Sequence, residues 1–397
     1  MKKILTISML YPSAEAPHFG VFIQREVDSM AQYCDQKVIV PMPWRTPRQL
    51  LSSLRTDPLL IKDEHGVEVI YKRYFPLPGK WLQPLKGFWF FLFLIRTILQ
   101  LRKKFDFDLI HAHNVYPEGF CATLLKKVVH KPVIISSRGN DLHKLPDNVL
   151  LRPMIKSALR NADSVITVSN SLAQKAIHLG TDPAKISVMP KGVDTHIFRP
   201  ILKHKAREQL CLPLDKQIVL SVGWLIPRKN PLSFFEVLKR FDKVDRERLL
   251  FVWVGEGPMQ DKLEFELRVN DLERNVLLAG RRSPEEIALW MNAADIFMLV
   301  SFSEGMPNVL YEALACGVPV IASDVDGASE ILTDMQNGVL VDPNDFSQIH
   351  SRVQKLFAEP AFREAIGQKG KQLLTERHLT LEQNAAWIKN KYDSIVL

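Results

Sequence analysis

Cysteine is scarce in this chain of 397 residues, and its placement excludes two kinds of site. The four cysteines, Cys34, Cys121, Cys211 and Cys316, lie far apart and include no Cys-x-x-Cys pair. A disulfide framework or a structural zinc site needs cysteines at short, regular spacings, so neither is expected. This usage fits a reducing compartment, the cytoplasm.

Long hydrophobic runs are also lacking in our interpretation of the sequence. We find no stretch that reaches the roughly 20 residues of a membrane-spanning helix. Lys2 and Lys3 precede the apolar run ILTISML, which superficially imitates a signal peptide. The run is short for that purpose and continues into a strand-loop-helix pattern, so we predict the first core strand there.

Negative charge is deficient in the first half of the chain. The whole sequence has 52 Lys and Arg against 44 Asp and Glu, a formal net charge of +8. Residues 1–190 contain 26 basic and 15 acidic residues, a balance of +11, and the remainder contains 26 and 29, a balance of −3. A basic half favours nucleic acid, an anionic membrane surface or an acidic substrate as partner. No nucleic-acid-binding module accompanies it, so no nucleic-acid partner is expected.

The sequence repeats one architecture. Its length, with 46% hydrophobic and 24% charged residues, predicts two globular domains. Strand-like apolar runs alternate with helical stretches in both halves, which predicts α/β domains with doubly wound parallel sheets. The runs are KILTISM, QKVIVP, VEVIYKRY, DLIHAH, PVIISS and SVITVS, and then IVLSVG, LLFVWVG, NVLLAG, DIFMLVS, VPVIAS and GVLVD. Residues 190–200, PKGVDTHIFRP, break the alternation and predict the linker.

Residues 301–327, SFSEGMPNVLYEALACGVPVIASDVDG, form the segment around which we expect a site to be built. The preceding run predicts a strand, which makes residues 301–306 the loop at its carboxyl end. We predict a helix from Pro307 to about Cys316, because proline suits a first helical position and Gly317 suits a C-terminal cap. Residues 318–323 predict the next buried strand.

Two carboxylates eight positions apart flank the start of this helix. Glu304 lies on the loop before the helix, whose first free N–H groups, from about Asn308 onward, suit a phosphate. Glu312 lies inside the helix, where a carboxylate can accept hydrogen bonds from a diol such as a ribose. For the spacing alone, a surface loop with two solvated glutamates is the better interpretation, because the pattern is common.

Polar and glycine clusters follow other strands of the second half, as expected if ligands bind beyond the carboxyl ends of parallel strands. Arg228 and Lys229 follow Gly223, and Arg281 follows Gly280. Arg228 and Lys229 are candidates for a diphosphate clamp. A solvated basic turn fits their spacing equally well.

The first half shows the same arrangement. Its first strand leads to the loop 17–20, DLIHAH delivers His111 and His113, and PVIISS delivers Arg138. The two histidines alternate on the strand, so we expect only one of them to face a ligand. A lone histidine on a strand is more often a core residue than a catalytic one. Polar strand ends from two facing sheets would form an interdomain cleft.

Together these motifs resemble the family 4 glycosyltransferases, retaining enzymes of GT-B fold with two facing Rossmann-like domains. The resemblance extends over essentially the whole chain. It rests on SEGMPNVLYEALACGVPVIAS, which resembles the family's E-x7-E region, and on VGWLIPRKN, MPKGVDTHIF, HAHNVYPEG and GEGP. It implies an acceptor domain of residues 1–195, on which the C-terminal helix of about residues 381–397 packs, and a donor domain of residues 196–380.

The resemblance also implies a reaction: a hexosyltransferase moves a sugar from a UDP- or GDP-sugar to an acceptor, retains the anomeric configuration and needs no metal or other cofactor. Matched by position, the catalytic candidates are Glu304 near the reacting centre, Arg228 and Lys229 at the diphosphate, and His113 at the donor sugar. The donor-binding candidates are Glu312 at the ribose, and Gly305, Met306, Asn308, Val309, Gly20 and Arg281 around the sugar and phosphates. No carboxylate nucleophile is assigned, since retaining enzymes of this kind are usually thought to work by same-face attack.

Three positions depart from the family's pattern. Trp224 stands where many relatives have arginine, Lys191 replaces the asparagine of a P-N-G-V-D segment, and a single Gly20 stands where relatives have two glycines. The diphosphate clamp is therefore expected to rely on Arg228 and Lys229.

The acceptor is expected at the basic first half. Residues 81–104, WLQPLKGFWFFLFLIRTILQLRKK, are aromatic-rich and end in basic residues. We interpret them as too short to span a bilayer but suited to a helix in the membrane interface, and a buried helix on the first sheet fits at least as well. The resulting hypothesis is a peripheral enzyme of the cytoplasmic membrane face, acting on a lipid-linked or saccharide acceptor in bacterial surface polysaccharide synthesis. Two alternatives remain: another GT-B nucleotide-sugar enzyme such as an epimerase, and a non-catalytic nucleotide-sugar-binding partner protein.

Overall fold

The chain folds into two compact units. The computed structural model describes residues 1–17, 19–44, 59–62, 66–77, 80–304 and 306–396. Unit 1 comprises Met1–Pro190 together with Leu381–Leu397, and unit 2 comprises Lys191–Thr380. The linker that the sequence predicts at residues 190–200 begins where unit 1 passes into unit 2.

An eight-stranded sheet forms the centre of unit 1. Its strands are β1 (Lys2–Ile7), β2 (Cys34–Pro43), β3 (Leu59–Lys62), β4 (Glu68–Tyr74), β5 (Leu109–His113), β6 (Val133–Ser137), β7 (Ser164–Thr167) and β8 (Ile186–Val188). They are ordered β3-β4-β2-β1-β5-β6-β7-β8. The edge strand β3 pairs antiparallel with β4, which departs from the predicted parallel arrangement. Neighbours in sequence can pair antiparallel through a short connection, whereas a parallel pair needs a long crossover.

A six-stranded parallel sheet forms the centre of unit 2. Its strands are β9 (Gln217–Val222), β10 (Leu249–Val254), β11 (Val276–Gly280), β12 (Ile296–Leu299), β13 (Val320–Ser323) and β14 (Val339–Val341). They are ordered β11-β10-β9-β12-β13-β14, so that β9 and β12 are neighbours although two strands separate them in sequence.

Helices accompany both sheets along the chain. They are α1 (Val21–Met30), α2 (Lys86–Lys104), α3 (Phe120–Val129), α4 (Asn140–His143), α5 (Arg152–Asn161), α6 (Asn170–His178), α7 (Lys203–Gln209), α8 (Ser233–Leu238), α9 (Lys243–Glu247), α10 (Gln260–Val269), α11 (Pro284–Ala293), α12 (Asn308–Ala315), α13 (Asp326–Ser329), α14 (Phe346–Ala358), α15 (Pro360–Glu376) and α16 (Leu381–Ile395). The last of them, α16, packs Ile388 and Tyr392 into the same buried cluster as Ile4 and Leu109 of β1 and β5. The end of the chain therefore completes the core of unit 1.

The interpretation of residues 81–104 as too short to span a bilayer was wrong. α2 and the turn before it form one helical segment, Leu82–Lys104, of 23 residues, with a mean hydropathy of 1.3 over its most apolar 18 residues. At 1.5 Å per residue such a segment is about 35 Å long, which exceeds the roughly 30 Å hydrocarbon core of a bilayer. Within the described ranges it is the one helix that is long and apolar enough to cross a membrane by length and composition.

Candidate active site

In unit 2, the loops after β9 and β12 meet at the carboxyl edge of the sheet. Because these two strands are adjacent, the loops that follow them begin side by side. The peptide N–H of Phe302 donates to the carbonyl of Arg228 at 2.9 Å and joins the two loops. Open parallel sheets bind ligands at such a point, where the strand order changes direction.

An ion cluster lies across the two loops. The ammonium of Lys229 lies 2.6 Å from Oε1 of Glu304, and Nη1 of Arg228 lies 3.2 Å from Oε2. Arg228 also donates to the carbonyl of Ser303 at 2.6 Å. The side chain of Glu304 is 7% exposed and that of Arg228 is 43% exposed, so one buried carboxylate has a cation open to solvent beside it. The cluster brings together three of the four residues predicted to be catalytic.

The helix that follows this cluster has the predicted ends to within one residue. Pro307 has the extended dihedral angles of an N-cap, φ −75° and ψ 114°, so α12 begins at Asn308 and the prediction of Pro307 as the first helical residue was one position early. The fixed φ of proline fits either position, and its ψ decides between them. Gly317 ends the helix as predicted: it adopts a left-handed φ of 75°, and Val318 N–H donates back to Ala313.

Polar atoms without partners lie near the start of α12. In the described part of the chain, Oδ1 of Asn308 and the hydroxyl of Ser301 are buried and have no hydrogen-bond partner. Buried polar groups are nearly always paired, so these two atoms are available to a polar ligand at the edge of this sheet.

The remaining donor-binding candidates differ in their surroundings. Met306 is buried, with its thioether against the hydroxyl of Tyr311, whereas Val309 and Glu312 are half-buried on the first turns of α12. Gly305 lies outside the described residues. Arg281 is not part of the cluster: it follows β11, at the edge of the sheet, and pairs with Glu256 at 3.3 Å. Trp224 is 63% exposed after β9.

In unit 1, His111 and His113 face the same side of β5, so the reason for expecting only one of them to face a ligand, that they alternate on the strand, was wrong. Side chains two positions apart on a strand point to the same face. Their rings lie 4.4 Å apart. His111 is held at both nitrogens, by the hydroxyl of Tyr392 at 2.7 Å and by that of Ser136 at 2.8 Å. His111 is thus a packed core residue, with a pKa that burial lowers to about 4.

His113 is held from one side by Arg138. Nη2 of Arg138 lies 2.5 Å from Nδ1 of His113 and 2.7 Å from Oε1 of Glu26, and all three side chains are largely buried. A guanidinium has no acceptor, so it must donate to Nδ1, and the neutral ring then carries its proton on Nε2. Burial, the neighbouring His111 and Arg138 together hold the pKa of His113 well below its usual range. His113 is therefore a neutral hydrogen-bond donor.

Glu118, in the loop after β5, is a buried carboxyl that sequence analysis did not select. Its Oε1 accepts hydrogen bonds from Met9 N–H at 3.0 Å and from Asn114 Nδ2 at 3.4 Å, and its buried Oε2 has no partner in the described part of the chain. Burial raises the pKa of Glu118 to about 7. It sits within the quoted motif HAHNVYPEG, and the signal that could have found it is a lone acidic residue five positions after a buried strand.

Gly20, predicted from the sequence to contact the donor, occupies a position that requires glycine for structural reasons. Its φ is 75°, and an added Cβ would lie 2.3 Å from the carbonyl carbon of Leu10. No other residue fits here, because the loop that contains Leu10, after β1, passes close to the start of α1. In the described ranges no group of three or more His, Cys, Asp or Glu side chains is arranged to hold a metal ion.

Comparisons with known proteins agree with this architecture. Residues 203–373 match the family described as glycosyl transferases group 1, and residues 49–197 match glycosyltransferase family 4. The chain is 30% identical over 354 residues to TuaC of Bacillus subtilis (strain 168), a glycosyltransferase assigned to teichuronic acid biosynthesis, and the match covers 86% of this chain and 85% of TuaC.

Two further proteins extend the comparison. The chain is 28% identical, over 63% of its length and 66% of the other's, to an Escherichia coli galactosyltransferase named for UDP-Gal and a GlcNAc-diphosphoundecaprenol acceptor. The structure of HepE from Anabaena in complex with UDP matches 99% of this chain and 100% of HepE with a TM-score of 0.77 at 18% identity. By its fold and its relatives, this chain belongs to the group 1 glycosyltransferases of family 4, enzymes of GT-B fold.

Proposed function

We propose that this chain transfers a hexose from a UDP-sugar to a lipid-linked or saccharide acceptor in bacterial surface polysaccharide synthesis, with retention and without a metal. The family supplies the broader class, a nucleotide-sugar glycosyltransferase of polysaccharide or glycolipid synthesis. The observation that carries the finer proposal is the cluster of Arg228, Lys229 and Glu304 at the carboxyl edge of the unit 2 sheet. UDP is favoured over GDP because the E. coli relative is named for UDP-Gal and the HepE structure contains UDP.

The charges of the cluster fit the chemistry of glycosyl transfer. Breaking the bond between sugar and diphosphate places negative charge on the leaving oxygen and positive charge on the anomeric carbon. Arg228 and Lys229 would stabilise the leaving diphosphate, and Glu304 would lie toward the sugar. In other transferases a divalent metal neutralises the leaving diphosphate. Because Arg228 and Lys229 can supply that charge here, we propose that no metal is needed.

α12 and the histidine of β5 supply further contacts for the donor. The free N–H groups at the helix start, near Asn308, suit the phosphates, and Glu312 suits the ribose hydroxyls. His113 would donate its Nε2 hydrogen to a sugar hydroxyl, since Nδ1 is occupied by Arg138. We assign no nucleophile for a covalent sugar intermediate, and we propose attack from the same face as the departing diphosphate.

The roles of the two glutamates can be separated by nucleotide binding and turnover. We expect UDP to raise the melting temperature of the protein in a panel of UDP, GDP, ADP and their sugars, because a ligand that binds only the folded state stabilises it. Glu304→Ala should lower kcat about a hundredfold or more while sparing UDP affinity, because it acts on the transition state. Glu312→Ala should weaken UDP binding about tenfold, because it removes a hydrogen bond to a charged group.

Glu285→Ala is the matched control, since Glu285 is an exposed glutamate at the start of α11. It should change neither quantity. Proton NMR of the product should show retention, and chelation with EDTA should leave turnover unchanged. Equal loss of UDP affinity in Glu304→Ala and Glu312→Ala would refute the division of roles, and the absence of stabilisation by any nucleotide would refute the donor site itself.

A further inference from the structure

One face of α2 in unit 1 is apolar and exposed to solvent. Leu85, just before the helix, and Phe88, Leu92 and Leu99 within it are 49%, 47%, 46% and 40% exposed. Their spacing of three, four and seven residues places them in one row along the helix, which we call the α2 stripe. Such a row of large apolar side chains open to solvent is unusual for a helix that only packs on a sheet.

The opposite face of α2 is fixed in the core of unit 1. Phe90, Leu94 and Ile98 are buried, and the ring of Phe90 lies 4.7 Å from that of Tyr74. An added Cβ at Gly87 would lie 2.7 Å from the ring of Phe120, so α2 lies close against α3. Only 28% of the most apolar window is buried. Spanning a bilayer would remove the buried face from this core, whereas lying on a bilayer would cover only the exposed face.

The charges of α2 indicate what covers the stripe. The helix has no acidic residue. Its basic residues are Lys86 at the first position, Arg96 in the middle, and Arg102, Lys103 and Lys104 at the C-terminal end. Arg96 and Lys103 lie in the row of the stripe and are exposed. An apolar row continued by cations complements an anionic lipid surface, where the side chains enter the interface and the cations meet the headgroups. A second copy of α2 has no acidic residue that could pair with these cations.

We propose that the α2 stripe docks unit 1 on the surface of an anionic lipid bilayer, with the helix lying in the interface. The observations behind this proposal are independent of the transfer reaction proposed above. If the acceptor is lipid-linked, docking would place unit 1 at the surface that contains it.

Flotation of the full-length protein on vesicles tests the proposal without any sugar donor. We expect the protein to float with vesicles of phosphatidylcholine and phosphatidylglycerol. Its affinity for vesicles of pure phosphatidylcholine should be lower by about tenfold or more. Phe88→Ser/Leu92→Ser should reduce binding about tenfold or more, because both side chains lose their apolar burial. Lys103→Gln/Lys104→Gln should reduce binding to the anionic vesicles about tenfold and leave binding to neutral vesicles unchanged.

Matched controls come from α10 of unit 2. Phe265 and Val269 are 58% and 63% exposed, so Phe265→Ser/Val269→Ser removes an equivalent exposed apolar pair. Lys262→Gln/Arg268→Gln removes two exposed cations from the same helix. Both control variants should float as the unaltered protein does. Raising the salt concentration should weaken the contribution of Lys103 and Lys104 and not that of Phe88 and Leu92.

Three results would overturn the proposal. They are binding that is equal on neutral and anionic vesicles, flotation that survives both α2 variants, and self-association in sedimentation that Phe88→Ser/Leu92→Ser abolishes. Unchanged thermal unfolding of the variants shows that they remain folded. Donor hydrolysis, measured in parallel without lipid, reports on the transfer reaction separately, so that failure of docking and failure of the proposed function are distinct outcomes.

Discussion

At the scale of single residues, the contact between Arg138 and His113 determines what this histidine can do. Arg138 donates to Nδ1, so the neutral ring must present a hydrogen at Nε2. The buried ring lies against His111 and beside a guanidinium, and all three influences oppose an imidazolium. His113 is thus suited to orient a hydroxyl and unsuited to protonate a leaving group. Arg138 acts through His113 as a positioning residue.

We expect Arg138→Met to remove the constraint on the tautomer of His113. Without the donor at Nδ1, the Nδ1–H tautomer of His113 becomes populated and the pKa of the ring rises. Nitrogen-15 NMR of the histidine rings reports both changes, with Nδ1 of the unaltered protein unprotonated across about pH 5 to 8. Sugar transfer should fall about tenfold or more in kcat, because the Nε2 hydrogen is no longer fixed.

A paired variant separates this effect from lost stability. Arg138→Met leaves Glu26 buried and unpaired, which costs about 3–5 kcal/mol. Glu26→Gln/Arg138→Met removes both charges, so stability should recover while the tautomer of His113 stays altered. Glu26→Gln alone keeps an acceptor for Arg138 and should preserve the tautomer. A ring that keeps its proton on Nε2 in both Met variants would show that Arg138 does not set the tautomer.

How well the sequence predicts individual residues depends on how local their partners are. Arg228, Lys229 and Glu304 could be expected to meet because each follows a buried strand, and parallel strands end at one edge. The contact between His113 and Arg138 spans 25 residues and that between Arg138 and Glu26 spans 112, so neither has a local signature. The error over His111 and His113 was of another kind, since the two-residue period of a strand already places both rings on one face.

At the scale of elements, Glu118 connects the loop after β1 to the loop after β5, the two central neighbours of the unit 1 sheet. Met9 N–H and Asn114 both donate to its Oε1. The ammonium of Lys86 in α2 acts in the opposite direction to burial and lowers the pKa of Glu118. A carboxyl with this burial remains protonated to about pH 7 in the folded chain. The junction therefore titrates near neutral pH.

We expect this carboxyl to give the protein a distinct pH dependence. The pKa of Glu118 is raised from 4.5 to about 7, so between these values the folded state holds a proton that the unfolded state has released. Stability should therefore fall as pH rises from about 4.5 to 7 and level off above, by about 3 kcal/mol in total for this group. Glu118→Gln keeps the shape and cannot ionise, so it should lack this fall. Urea unfolding of both proteins across this pH range measures the difference in their free energies of unfolding. The contributions of the other titrating groups cancel in that difference.

A difference between the two proteins that stays constant from pH 4.5 to 7 would contradict this assignment. Asp108→Asn is a suitable comparison, because Asp108 accepts from Lys3 N–H at the other end of the same strands and has no buried, unpartnered oxygen. It tests whether removing any carboxylate near β1 and β5 changes the pH dependence of the free energy of unfolding in the same way.

Long apolar runs predict strands well, and short segments without such a run are missed. The runs predicted as strands from KILTISM to GVLVD all correspond to strands of the two sheets. β3 and β8 were not predicted. β8 has only three residues, all half-buried, and so lacks a continuous buried run, and β3 has only four residues. The extent of the α2 segment was predicted to within one residue, 81–104 against Leu82–Lys104, and the error was to judge a helix of this length too short to span a bilayer.

At the scale of the whole molecule, the chain returns to unit 1 through α16 after completing unit 2. Its sequence shows only an amphipathic stretch with Trp387 and Tyr392, and periodicity alone does not say which core receives it. In the structure Ile388 and Tyr392 join Ile4 and Leu109, and Lys2 donates to the carbonyl of Val396 at 2.7 Å. Resemblance to a family supplied this long-range connection, which no local pattern contains.

Two isoleucines with equal burial test which unit each C-terminal helix supports. Ile388 in α16 belongs to the core of unit 1, Ile366 in α15 belongs to that of unit 2, and each is 1% exposed. Truncation of either to alanine should destabilise its own unit by about 2–5 kcal/mol, because the lost contacts leave a cavity. Hydrogen exchange followed by mass spectrometry should show Ile388→Ala accelerating exchange in β1, β5 and α16, and Ile366→Ala accelerating it in β12 to β14 and α15. Each variant is the control for the other, because chemistry and burial match and only the unit differs. If Ile388→Ala accelerated exchange mainly in the strands of unit 2, α16 would not belong to the core of unit 1.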